Sequence, residues 1–106
     1  MQNYQHNRHQ KFYELMEYKE IRSLSEKFAK IHSKSFNQKN LKYSSDFILS
    51  LLKNPSISYI YKKNKGFCIF SCNEKEAEII TMAILPKYQN QGIGFLILTE
   101  LEGILS

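Results

Sequence analysis

The decisive stretch of the chain reads Gln89-Asn90-Gln91-Gly92-Ile93-Gly94. An apolar run, residues 79–85, precedes it, and a stretch rich in Leu and Ile, residues 95–105, follows it. A strand, a glycine turn and a helix start in this order are typical of an anion-binding loop, because the first N–H groups of a helix have no partner within the helix and lie at its positive end. Gly92 and Gly94 carry no β-carbon that would keep a phosphate from these groups, and glycine permits the unusual φ values that such a loop can need.

The spacing of the glycines argues against two common phosphate-binding loops. A P-loop requires a lysine and a hydroxyl residue after the last glycine, where this chain has Phe95 and Leu96. A dinucleotide-binding fingerprint requires a third glycine where Ile97 stands, and no βαβ unit follows. A glycine turn that simply opens an amphipathic helix is the alternative that these six residues leave open.

The residues on both sides of the glycine turn carry a resemblance to a known family. An apolar strand, a Pro86-Lys87-Tyr88 link, the turn and a leucine-rich helix follow one another, and this order is similar to the core motif of the Gcn5-related N-acetyltransferase superfamily. Residues 31–36 and 46–52, followed by an apolar hairpin, resemble the branch that acetylates the N-terminal alanine of ribosomal proteins. The resemblance covers residues 12–106 and leaves residues 1–11 as a polar leader.

The resemblance implies an α+β fold, a mostly antiparallel sheet flanked by helices, with acetyl-coenzyme A as the co-substrate. The pyrophosphate of that ligand would lie on the N–H groups of residues 90–95, and the backbone of residues 82–84 would contact its pantetheine arm. The implied binding residues are Met82, Ala83, Ile84, Gln89, Asn90, Gln91, Gly92, Ile93, Gly94 and Phe95. Gln89 takes a place that arginine often holds in the family, so Lys87 becomes a candidate for the missing cation. The implied acceptor is the amine of a protein or peptide, with a ribosomal protein as the candidate.

The chain stops at Ser106, directly after the leucine-rich helix. In the alanine-acetylating branch, a strand with the general-base glutamate and a helix with the general-acid tyrosine come next, so the resemblance assigns no catalytic residue here. We therefore expect a sheet without its C-terminal strands, and an apolar face on the last helix that a second copy or a complementing chain would cover. The sequence leaves open whether the chain catalyses acetyl transfer or serves as a non-catalytic acetyl-coenzyme A-binding or protein and RNA interaction module.

Three side chains within the chain could act as a base, and each has a structural interpretation that we prefer. Glu76 and Glu78 alternate with apolar residues, which indicates a charged edge at the start of a strand. His32 lies near a predicted helix end, where an imidazole can cap free carbonyl groups.

The composition sets wider limits on function. The 106 residues allow one domain, and the formal net charge of +5 comes entirely from residues 1–53, because acidic and basic residues balance in residues 54–106. The lysines are scattered through probable helices, which favours a solvated surface over RNA binding. Cys68 and Cys72 lie four residues apart on a predicted strand, so we expect two free, buried thiols. The sequence predicts no metal site, no membrane segment and no apolar signal region, and cytoplasm is the expected location.

The coarse pattern predicts the order of the elements. Residues 13–19 are predicted as a first strand, and residues 20–32 as a helix with Ile and Leu at helical spacing. A polar loop is predicted at residues 37–42, and a second helix is predicted from Ser44 or Ser45 to Pro55. Residues 57–72 are predicted to form a hairpin with a turn at 63–66. The last helix is predicted to begin near Gln91 and to reach Leu105.

Overall fold

The computed structural model describes residues 4–36, 43–74 and 76–105, with the side chains of residues 17–36, 43–74 and 76–104. The loop predicted at residues 37–42 lies outside the described residues. The helices are α1 (Tyr4–Phe36), α2 (Ser45–Leu52) and α3 (Ile93–Leu105), and the strands are β1 (Ile57–Lys62), β2 (Gly66–Cys72) and β3 (Ala77–Ile84). A one-turn 3-10 helix, Pro86–Tyr88, connects β3 to the segment before α3.

Helix α1 corrects the prediction for the start of the chain. Residues 13–19, which we predicted as a strand, lie within this 33-residue helix, and so do residues 4–11 of the predicted polar leader. Glu14, Leu15, Met16, Glu17 and Lys19 all have high helix propensity, and residues 4–36 contain neither Gly nor Pro. The helix therefore continues upstream, because nothing in the local sequence stops it.

Helix α2 begins and ends where the sequence predicts. The Ser44 side chain accepts a hydrogen bond from the Phe47 N–H at 3.2 Å, so Ser44 is the N-cap. At the other end, the Lys53 N–H donates to the Leu49 carbonyl at 3.1 Å. Asn54-Pro55 then leads into β1, since proline cannot continue a helix.

The three strands form one antiparallel sheet in the order β1-β2-β3. The hairpin between β1 and β2 turns at residues 63–65, where Asn64 has φ of 61°. A β-carbon on Gly66 would lie 2.9 Å from the Ala83 carbonyl oxygen, so only glycine lets β2 and β3 approach this closely. The structure confirms the predicted hairpin and the α+β class.

Helices cover both faces of the sheet, and each face has its own core. On one face, α1 and α2 pack against Phe67 and Ile69 of β2, with Phe28 of α1 stacked on Phe67 at 4.3 Å between ring centres. On the other face, α3 packs its Ile97 and Leu101 side chains against the opposite side of β2. Because β2 is covered on both faces, it reads as an unbroken apolar run rather than an alternating one.

The tyrosine and cysteine side chains of the strands pack on one or the other of these two faces. Tyr59 and Tyr61 both meet the Phe28 ring edge-on, with ring centres 5.7 and 5.1 Å away, as expected for side chains that pack on the sheet. Cys68 and Cys72 are free thiols that both join the α3 face, as predicted. The expected burial holds for Cys68, whereas Cys72 is only half-buried. Burial raises the pKa of the Cys68 thiol to about 11.

Strand β3 contains an irregularity that the sequence did not predict. Ile69 pairs with Thr81, but the next residue of β2, Phe70, pairs with Ile79, so Ile80 is an extra residue in β3. As a consequence, Ala77 and Met82 contact the same core although they are an odd number of residues apart. The bulge thus lies two residues before the segment expected to contact the ligand.

Candidate functional site

The glycine turn lies between β3 and α3. Pro86 follows the strand and opens the single 3-10 turn, in which the Tyr88 N–H donates to the Leu85 carbonyl at 2.8 Å and the Gln89 N–H to the Pro86 carbonyl at 3.2 Å. Proline has no N–H to donate to a neighbouring strand, so it ends β3 at this point. The predicted Pro-x-Tyr link is therefore a short helical turn that redirects the chain toward the glycines.

The backbone between this link and α3 takes two left-handed conformations. Asn90 has φ of 63° and Gly92 has φ of 86°. Asparagine tolerates this region better than most residues, and glycine occupies it without steric cost. The positive φ expected of the turn is confirmed at Gly92.

Gly94 has a different role, because it lies inside the first turn of α3. A β-carbon at this position would approach Cδ1 of Ile84 to 3.3 Å. Glycine here lets the start of α3 lie against the end of β3. The two glycines of the turn thus serve different purposes. Gly92 provides a left-handed conformation, and Gly94 leaves room for the tip of the Ile84 side chain.

The N-terminus of α3 presents backbone donors to open space. The Leu96 N–H donates to the Gly92 carbonyl at 3.0 Å and makes the first hydrogen bond of the helix. The preceding N–H groups, at Ile93, Gly94 and Phe95, have no hydrogen-bond partner among the described residues. A β-carbon added to Gly92 would meet nothing within 4 Å. Donors at the positive end of a helix beside a free surface form a cradle suited to a phosphate or pyrophosphate.

The Gln89 side chain links the loop to the end of β3 through a hydrogen bond. Its Nε2 donates to the Ile84 carbonyl at 2.9 Å. The Ser35 hydroxyl of α1 lies 2.7 Å from the same oxygen and 2.7 Å from the Ile31 carbonyl oxygen of its own helix. The Gln91 amide donates to the Lys87 carbonyl at 3.1 Å. These bonds fix the end of β3 and the start of the loop relative to each other. No local signal in the sequence marks Ser35, which lies 49 residues from its partner.

The cation expected at Lys87 lies close to the loop but contacts an aromatic ring. Its Nζ is 5.7 Å from the centre of the Tyr88 ring, and Nζ of Lys65 is 5.5 Å from the same centre. Two lysines thus share the ring of the residue that directly precedes the loop.

The free edge of β3 continues from the cradle. The Leu85 N–H donates to the Lys65 carbonyl at 2.8 Å, so Leu85 faces β2. Residues in an antiparallel pair alternate between those whose backbone groups face the partner and those whose groups face away. Ala83 therefore faces β2, whereas Met82 and Ile84 direct their backbone groups to the other edge, with which no strand pairs in the part of the chain that the structure describes.

Several apolar side chains of α3 are exposed, with Phe95 at 74%. The uncovered apolar face expected on the last helix is present only in part. Leu96 and Ile104 of that face are each 53% exposed, whereas Ile97 and Leu101 are buried against the sheet. Leu105, expected on the same helix face, has its side chain outside the described residues.

The positions of two candidate bases, Glu76 and Glu78, fit structural roles. Glu76 is exposed in the turn between β2 and β3, where its N–H donates to Oδ1 of Asn73 at 2.9 Å. Glu78 is exposed on β3, opposite Ser71 of β2. Both positions agree with a charged edge at the start of a strand.

His32 corrects the expectation of a helix cap. Helix α1 continues to Phe36, and the imidazole is buried against the rings of Phe36 and Tyr43, with ring centres 4.6 and 4.3 Å away. Burial lowers the pKa of His32 below its ordinary value of 6.5. The ring is consequently neutral at pH 7 and belongs to the packing between α1 and the segment before α2.

The described residues contain neither a cluster of metal ligands nor a membrane-spanning helix. No three His, Cys, Asp or Glu side chains among them come together in a group that could hold a metal ion. None of the helices, as far as the chain is described, combines the length and the apolar character needed to cross a membrane.

Comparison with known proteins identifies the family. The model of the acetyltransferase (GNAT) family matches residues 19–105, so this chain belongs to that family. Among solved structures, it is similar to the PaiA N-acetyltransferase from Thermoplasma acidophilum in complex with coenzyme A. The TM-score is 0.57 at 19% sequence identity, over 83% of this chain and 67% of that chain, and this likeness confirms the fold. No curated protein matches the chain significantly.

Proposed function

We propose that this chain binds acetyl-coenzyme A at the N-terminus of α3 and along the free edge of β3. Membership of the acetyltransferase (GNAT) family and the fold shared with a coenzyme A complex support this proposal. The observation that carries it is the open cradle: Gly92 has φ of 86°, an added β-carbon there would enter empty space, and the N–H groups that follow have no partner among the described residues.

Each part of the proposed site suits one part of the ligand. The N–H groups of residues 93–95, at the positive end of α3, suit the negative charge of a pyrophosphate. The outward-facing backbone groups of Met82 and the outward-facing N–H of Ile84 suit the amides of the pantetheine arm, which can pair with a strand edge as a peptide does. Ala83 contributes packing below the edge, because its own backbone groups face β2. Gln89 holds the loop in place through the Ile84 carbonyl.

The reaction that we propose is transfer of the acetyl group to a protein N-terminal amine, with alanine at the end of a ribosomal protein as the candidate acceptor. The thioester supplies the activated acetyl group, and the chain positions it. An ammonium acceptor must lose a proton before it can attack, so a base is needed. We assign this role to none of Glu76, Glu78 and His32, since the first two are exposed at the far end of β3 and the third is packed between aromatic rings.

Calorimetric titration of acetyl-coenzyme A into the full chain tests the binding site. We expect saturable binding to the wild type and loss of binding in Gly92→Glu, which places a carboxylate and a side chain in the cradle. Gly103→Glu is the matched control, because Gly103 also has nothing within 4 Å of an added β-carbon but lies away from the cradle on α3. Binding by this control should equal that of the wild type.

A second variant separates blocked binding from misfolding. Gly92→Asn keeps a residue that tolerates positive φ and still fills the open space. It should retain the circular dichroism spectrum and melting temperature of the wild type within a few degrees while it loses affinity. Unchanged affinity in both Gly92 variants would overturn the proposed site.

Turnover is tested separately with a peptide that begins with alanine. Release of free coenzyme A thiol that depends on this peptide, and that stops when its N-terminus is already acetylated, would support the transferase function. Saturable binding without thiol release would instead identify a non-catalytic acetyl-coenzyme A-binding module.

A further inference from the structure

A cavity lies between α1 and the hairpin of β1 and β2, on the face of the sheet opposite α3. Its volume is about 260 Å³. Lys27, Lys30 and Lys34 form its wall on α1. The Leu85 side chain lines the cavity and packs into the core on the α1 side. The sheet therefore separates the cavity from α3, the helix that carries the glycine cradle.

The three lysines share one side of α1. Their spacing of three and four residues places them within about 60° of one another around the helix, over an axial length of about 10 Å. All three residues are exposed, and all three line the cavity. In the described part of the chain, the recorded ion pair joins Lys62 to Glu100 on the other side of the sheet, and none joins these lysines to a carboxylate. Glu26 and Glu20 are the acidic residues on the neighbouring turns of α1, and both are exposed.

Apart from Asn64, the remainder of the cavity lining is apolar or aromatic. Ile31 is buried at its base, and the Leu85 side chain packs into the same core. Tyr61 lines the hairpin side, where its hydroxyl accepts a hydrogen bond from the Asn64 N–H at 3.2 Å. Lysines beside apolar side chains in one cavity suit a ligand with a compact anion at one end and an organic group at the other.

We propose that this cavity binds a small phosphate monoester. A monoester carries a charge of about −1.5 to −2 at pH 7 and three acceptor oxygens, and three lysines spaced over about 10 Å of one helix can share it. The organic group lies against Ile31 and Leu85. A single-stranded RNA would need an extended track of cations and stacking rings, whereas these lysines line one cavity of limited volume. This inference is independent of acetyl-coenzyme A binding.

The test is a 1H–15N NMR titration of the full chain with phenyl phosphate, using inorganic phosphate and phenol as comparison probes. Phenyl phosphate should produce saturable shifts at the amides of Asn64 and Leu85, which lie at the cavity. Inorganic phosphate should bind more weakly and phenol should not saturate. The same shifts should persist when acetyl-coenzyme A is already present in excess, so failure of the coenzyme site and failure of this site are distinguishable.

A matched pair of variants tests the role of the lysines. Lys27→Gln with Lys30→Gln should weaken phenyl phosphate binding about tenfold, because two charge-assisted contacts are removed. Lys19→Gln with Arg22→Gln removes the same charge from exposed positions earlier on the same helix and should leave the affinity unchanged. Glutamine is a good helix former, so both variants keep α1 intact.

Three outcomes would overturn the proposal. These are the absence of saturable shifts with phenyl phosphate, an equal loss of affinity in the control variant, and saturable shifts with a uridine decamer that phenyl phosphate cannot compete away. The last outcome would indicate RNA binding on a wider basic surface.

Discussion

The hairpin and the loop before α3 use the same short pattern with opposite consequences. In each, an asparagine with positive φ precedes a glycine by two residues: Asn64 with Gly66, and Asn90 with Gly92. At Gly66 an added β-carbon would lie 2.9 Å from a backbone oxygen, whereas at Gly92 it would meet nothing within 4 Å. The first glycine serves the packing of the sheet. The second serves the conformation of a loop whose open side admits a ligand.

The largest effect on stability should come from Gly66→Ala. The new methyl group would press on the Ala83 carbonyl, and backbone cannot move aside as a flexible side chain can. We expect the free energy of unfolding to fall by about 1–3 kcal/mol, as for other overpacked sites. Urea denaturation measures this directly, and a change below experimental error would show that β2 and β3 separate easily at this point.

Compared with Gly66→Ala, Gly92→Ala should lower the free energy of unfolding somewhat less and should weaken acetyl-coenzyme A binding more. The left-handed conformation of an L-residue costs about 1–2 kcal/mol, with no clash to add. Gly103→Ala is the contrasting change, because this helical glycine also has open space and its replacement should stabilise the protein by about 0.5 kcal/mol. Opposite signs for these two alanines in thermal unfolding would establish that conformation, not space, restricts Gly92.

A smaller loss is expected for Ser35→Ala. The Ile84 carbonyl would keep the Gln89 amide as a donor but lose the hydroxyl of α1, whose one hydrogen is shared with the Ile31 carbonyl, at a cost of up to about 1 kcal/mol. Because this bond joins α1 to the end of β3, hydrogen exchange should quicken at residues 89–95 more than at residues 63–66. Equal changes at both turns would mean that the bond does not stabilise the cradle specifically.

The pH dependence of folding should depend on His32, one turn before Ser35. Burial lowers the folded-state pKa below the ordinary value of 6.5, so the unfolded chain takes up a proton first as the pH falls. The stability contributed by the neutral ring is present above pH 6.5 and declines below it. His32→Phe retains a ring against Phe36 and Tyr43, and its free energy of unfolding should vary less between pH 7 and pH 5. An identical pH profile for both proteins would contradict this assignment.

The start of α1 shows how a coarse sequence pattern can mislead. That pattern predicts a strand at residues 13–19, which lie within a helix in the structure. Their helix-forming side chains and the continuous absence of Gly and Pro are visible in the sequence, so local propensity contained the correct information. By contrast, the bulge at Ile80 has no local signal, because it reflects how β3 pairs with β2.

The sequence by itself determined the elements that depend on neighbouring residues. The Ser44 cap, the Asn64 turn, the end of β3 at Pro86 and the positive φ of Gly92 all follow from side chains within a few positions, since capping and backbone sterics act over that range. Only the tertiary structure decided which glycine is packed and which is open, that Ser35 anchors Ile84, and that lysines of α1 surround one cavity with the hairpin. These features join residues far apart in the chain, and their contacts arise only when the helices pack on the sheet.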